Sequence, residues 1–128
     1  MKYFVSKTVN GEFEAVIAQV TEALKGIGFG VITTIDVKKT LKEKLDVDFK
    51  SYTILGACNP LFVSKALVME DKLGVILPCN IVVIDQGDGK IEVAAMEPME
   101  MIKSMDNGPL TELADEIISL IDQVVESL

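Results

Sequence analysis

The stretch CNIVVIDQGDGKIEVAAM, residues 79–96, decides the fold. Cys79 to Asp85 contains four consecutive β-branched side chains, Ile81, Val82, Val83 and Ile84, which favour a strand and suggest burial on both of its faces. Gln86-Gly87-Asp88-Gly89 supplies tight-turn chemistry, and Lys90 to Met96 returns as a second strand. Two strands joined by so short a turn run antiparallel.

Upstream, Leu73 to Leu77 reads as a short extended run ending at Pro78. Asn59-Pro60 is a helix start, because Asn accepts an N-cap bond and Pro fits the first helical position. The helix it opens, Leu61 to Met69, is apolar nearly all round, so it is either wholly buried or pressed against a second subunit. Lys50 to Cys58 is a strand, and Val37 to Leu45 a short charged helix with Val37, Leu41 and Leu45 facing inward. Phe29 to Val37 is β-branched and strand-like. Phe13, Val16, Ile17, Val20, Leu24 and Ile27 recur at helical spacing and form one apolar stripe, which Gly26 and Gly28 end. Lys2 to Val9 alternates as a half-exposed strand.

Downstream, Pro98 opens a Met-rich segment to Met105, which is read as core or interface filling. After Asn107-Gly108-Pro109, a long helix places Leu110, Leu113, Ala114, Ile117, Ile121, Val124 and Leu128 on one face. The order predicts an α+β fold, one domain over residues 1–128. It has a mainly antiparallel five-stranded sheet with two long helices on one face, β-α-β4-α with short helices inserted.

Composition narrows the function. The 128 residues carry 20 acidic against 12 basic side chains, a net charge of −8. Such a field opposes a polyanion, and no basic cluster with interleaved aromatics is present, so nucleic acid is disfavoured. Lys38, Lys39, Lys42 and Lys44 crowd one segment, but Asp36, Glu43, Asp46 and Asp48 interleave with them as on a solvated helix face. The longest apolar stretch, Leu73 to Ile84, is too short and interrupted to span a bilayer, and Met1 leads straight into strand-like sequence without a signal segment. Two cysteines in a chain with a full core are read as free thiols of a reducing, cytoplasmic compartment. Hydrophobic residues make up 49% of the chain, and mean hydropathy is +0.38. Part of that apolar surface is expected to close a homodimer interface.

The residues able to carry chemistry gather at two Cys-Asn turns. Cys58 ends one strand and Cys79 begins the next, so antiparallel pairing of those strands would bring the thiols to one end of the sheet. Cys58 also stands just ahead of a helix N-terminus, whose free amides favour thiolate. Without histidine, every His-based triad and N-donor zinc pattern is excluded. A metal would need four thiolates from two copies, or a ligand such as Glu97. No Gly-rich phosphate loop with a following Lys is present, and no cofactor is specified. Tyr52, Asn59 and Asn80 could help Cys58 and Cys79 hold a small ligand, although turn and capping chemistry alone would also explain both asparagines.

Four segments carry a family resemblance: Gly28-Phe29-Gly30-Val31 with Ile35-Asp36-Val37, Thr40 to Leu45, Tyr52 to Pro60, and Leu77 to Val83. Together they resemble the family called domain of unknown function 302, over most of residues 28–84. The resemblance implies a small domain with a curved antiparallel sheet and two packed helices, related to the TATA-box-binding-protein-like architecture. It also implies a dimer and no settled activity. Three positions depart from the family pattern: Val63 stands where alanine is common, Lys65 where histidine is frequent, and Thr34 where glutamate is usual. The leading expectation is a dimeric ligand-binding domain with a site lined by Cys58, Asn59, Cys79, Asn80 and Tyr52. The alternatives are a thiol redox protein or enzyme using Cys58 and Cys79, and an interaction module built on helix Leu61–Met69.

Overall fold

A computed structural model describes residues 3–128. Lys2, where the alternating pattern starts the first strand, lies outside the described residues. Five strands form one sheet: β1 (Phe4–Asn10), β2 (Gly30–Asp36), β3 (Tyr52–Cys58), β4 (Cys79–Asp85) and β5 (Lys90–Met96). Their order is β1-β5-β4-β3-β2, and every neighbouring pair is antiparallel. Helices α1 (Phe13–Lys25) and α5 (Gly108–Ser127) are the two long ones, with α2 (Val37–Leu45), α3 (Pro60–Met69) and α4 (Met99–Lys103) inserted between strands.

One face of the sheet carries the core. Along the strands Leu55, Ala57, Cys79, Ile81, Val83, Ile91, Val93 and Ala95 are all buried on this side. Register aligns Thr34, Leu55, Ile81, Ala95 and Val5 in one row across all five strands. Against them α1 sets Val16, Val20 and Leu24, and α5 sets Leu110, Ala114, Ile117, Ile121, Val124 and Val125. Each side chain taken fully from water contributes about 1.5–3 kcal/mol, so these two stripes hold the layers together. The spacing predicted both.

Four expectations are corrected by the packing. β4 is not buried on both faces: Cys79, Ile81 and Val83 are buried, Val82 and Ile84 are half-buried, and Asn80 is exposed on the opposite, open face. Residues 71–76 form a 3-10 helix, not an extended run, because the Glu70 carboxylate accepts the Lys72 amide and Leu73 plugs the core. In α2 only Val37 and Leu41 are half-buried, while Leu45 is 67% exposed. Helix α3 is not wholly buried within the chain: it buries Phe62 and Ala66 but leaves Leu61 and Val68 exposed.

The turn before β4 is held down by a close contact. Gly56 of β3 lies opposite Thr33 and Asn80, and a Cβ there would collide with the Thr33 hydroxyl and stand 2.8 Å from the Pro78 ring. The Leu77–Pro78 peptide is cis. Overpacking such a site costs about 1–3 kcal/mol, so Gly56→Ala should lower unfolding free energy in urea by that amount. Gly74→Ala, where nothing lies within 4 Å of the added carbon, should leave stability within about 0.5 kcal/mol of the native chain.

Candidate functional site

Antiparallel pairing of β3 and β4 sets Cys79 opposite Ala57, the residue before Cys58. Both thiols therefore reach the same end of the sheet, as the strand ends suggested, and both are free. Cys58 is half-buried and pairs with Gly30 on β2; Cys79 is buried. They share the lining of a cleft of about 250 Å³, walled by Phe29, Ile32, Phe62, Val63, Leu67, Leu77 and Pro78. The remaining lining residues are Ala57, Asn59 and Gly74, so no charged side chain faces the space. A ligand seated there would be neutral and largely apolar.

The five predicted site residues do not converge. Cys58, Asn59 and Cys79 line the cleft, whereas Tyr52 and Asn80 lie on the open face of the sheet. There they border a hollow of about 320 Å³ with Tyr3, Phe4, Val82, Ile84, Glu92 and Met96. Two reasons explain the split: Asn80 follows Cys79 and so projects from the opposite side, and Tyr52 starts β3, at the far end of the sheet from Cys58. One-residue steps in a turn read as a unit in sequence, but in a strand they part company.

Asn59 is committed to structure. Its Oδ1 accepts the Phe62 amide at 3.1 Å, and its backbone carbonyl accepts the Val63 amide at 3.0 Å. Its Nδ2 lies 3.5 Å from where a side chain on Gly28 would begin, and Gly28 has φ +84. Of the first four residues of α3, Pro60 has no donor and Phe62 and Val63 have given theirs to Asn59. The first-turn amides of α3 are therefore largely engaged by Asn59 itself.

Burial pushes the Cys79 thiol from an ordinary 9.0 up to about 11, with the neighbouring Cys58 charge adding to the rise. At neutral pH it is a protonated, packed side chain. No group of three or more His, Cys, Asp or Glu able to hold a metal occurs among the described residues. No helix among them is long and apolar enough to cross a membrane. The walls supplied by Phe29, Ile32, Val63 and Leu67 were not singled out as site residues. The one available signal was the all-round apolarity of α3, together with the departure at Val63.

An α+β domain with an open antiparallel sheet and an apolar, thiol-bearing cleft at one sheet end is the class these features define. The model of the family described as domain of unknown function DUF302 matches residues 5–128, and the chain belongs to that family. The chain is similar to the crystal structure of an uncharacterized conserved DUF302 protein from Bacillus stearothermophilus. Identity is 28% and the TM-score 0.89, with 98% of each chain covered. Comparison with curated proteins gives no match.

The thiols make a pH prediction. The fold favours the neutral Cys79 thiol, so its contribution to stability is fully present below pH 9.0 and is lost as pH rises through about 11. Relative to Cys79→Val, the native chain should lose up to about 2 kcal/mol across that window in urea unfolding. Equal pH profiles for the two proteins would show that Cys79 is not desolvated. At pH 8, iodoacetamide should label Cys58 in the native chain and Cys79 only after unfolding.

Proposed function

We propose that the chain is a homodimeric, cytoplasmic small-molecule-binding domain whose ligand sits in the cleft at Cys58 and Cys79. The observation that carries this reading is the cleft's composition. Residues from β2, β3, α3 and the turn before β4 converge on about 250 Å³ with no charge and one half-exposed thiol. That volume is just below the roughly 300–1,000 Å³ of drug-sized pockets, which fits a compact, fragment-sized ligand. The hollow on the open face is larger, but it is a depression in the sheet's own surface, whereas the cleft is backed by the buried core residues Ala57, Phe62 and Cys79.

The redox alternative draws support from the shared cleft, where Cys58 would attack and Cys79 resolve. Desolvation of Cys79 works against it, because a resolving thiol must ionise to attack and this one is held protonated. Binding by contact with an apolar wall asks nothing of either pKa.

N-phenyl-1-naphthylamine, a neutral apolar fluorophore, is the test probe. It should bind at one molecule per chain with enhanced emission. Val63→Trp, which fills the cleft from a half-buried position, should weaken binding at least about tenfold, equivalent to about 1.4 kcal/mol. Tyr52→Ala on the open face should leave binding unchanged. Loss of binding with Tyr52→Ala but not with Val63→Trp would move the ligand to the open face and end this reading.

A further inference from the structure

A second apolar space lies directly behind the cleft. Phe62, Leu77 and Cys79 line the cleft on one side and, on the other, a void of about 30 Å³. Helix α5 lines that void with Ala114, Ile117, Ile118 and Ile121, and Leu73 and Ile102 stand among its other walls. Apart from the protonated Cys79 thiol, every side chain around it is apolar. A water fits in about 10–15 Å³ but needs polar partners to stay. The void therefore has room for a methyl or methylene group and little to hold a water. The cleft differs, because its wall also carries the Cys58 thiol and the Asn59 side chain.

We propose that Phe62 is a specificity-determining residue of the cleft: with Leu77 and Cys79 it partitions cleft from void, and so sets the length of alkyl chain the ligand can carry. The ligand class that follows is a neutral molecule with one hydrogen-bond-accepting end and a short unbranched alkyl chain. The accepting end stays with Cys58 and Asn59, the polar groups of the cleft wall, and the chain runs toward Phe62. A void with room for only about one or two carbons, behind a partition of three side chains, admits a chain end and no ring.

The partition is preset by the fold. Cys79 is held in β4 opposite Ala57. The Leu77 amide donates to the Gly74 carbonyl at 3.3 Å. The Phe62 amide donates to Asn59 Oδ1 at 3.1 Å, so the residue that offers a polar group to the ligand also fixes the backbone of the stop. Phe62 is buried, and its ring is the largest of the three side chains. A smaller residue there joins cleft and void into one longer apolar space that ends at Ala114 and Ile117 of α5. This inference rests on the cleft being the ligand site, and the test separates the two.

Displacement of N-phenyl-1-naphthylamine by 2-alkanones, from 2-pentanone to 2-decanone, reads the chain-length limit. With the native chain, affinity should rise about fourfold for each added methylene and then stop rising at a limiting length. Phe62→Leu should move that limit about one carbon longer, and Phe62→Val about two. If Phe62→Val does not fold, Phe62→Leu decides. Ile118→Phe fills the void from α5 without touching the cleft lining. It should return Phe62→Val to the native limit and leave the native chain's own limit unchanged. One limit shared by the native chain and both Phe62 variants overturns the partition and keeps the cleft as the site. A shorter native limit with Ile118→Phe also overturns it, since the chain would then already enter the void. Bound probe that no ketone displaces overturns the ligand class, whereas a native chain that binds no probe removes the cleft reading itself.

Discussion

The Pro78 ring and the Thr33 hydroxyl occupy the space over Gly56 that any side chain would claim. That contact ties three strands together at one point: β2 through Thr33, β3 through Gly56, and the entry to β4 through Pro78. It sets Cys79 opposite Ala57, and alternation then sends Cys79 into the core and Asn80 to the open face. The cleft inherits its walls from this arrangement. Leu77, Pro78 and Cys79 approach from one side, and Cys58 and Asn59 from the other. A residue larger than glycine at position 56 would lift the turn and loosen every wall it supplies.

The same placement sets the chemistry. Cys79 loses its water by burial, so its thiol stays protonated and acts as a small apolar wall. Asn59 spends its side chain and carbonyl on the first turn of α3, which makes it a brace for the cleft. What remains open to a ligand is apolar surface and the Cys58 thiol. A ligand held there would be recognised by shape more than by charge.

The long helices and the hairpin were legible because their signals are periodic: Val16, Val20 and Leu24 repeat at helical spacing, and Gly87 and Gly89 mark the turn with positive φ. The pairing of β3 with β4 was left open by the sequence; given that pairing, a cysteine at a strand end and another at a strand start were bound to share one end of the sheet. The lining of the candidate cleft was only half legible. Cys58, Asn59 and Cys79 were found because thiols and capping residues are chemically distinctive. Ile32, Val63 and Leu67 were not, because apolar wall residues look like any core residue until the turn folds over them. Asn80 was drawn in by its adjacency to Cys79, which a strand's two-residue period undoes, and Tyr52 stands at the opposite end of β3 from Cys58. Residues 71–76 misled for a related reason: a short apolar run has no period, and the Glu70 cap that coils it is a local hydrogen bond.

Methyl-resolved NMR with N-phenyl-1-naphthylamine tests the location of the site most directly. The account predicts progressive shifts at Val63, Leu67 and Leu77, which line the cleft, with Val82 and Ile84 on the open face unmoved. Shifts confined to Val82 and Ile84, or no shifts at saturating probe, would contradict it.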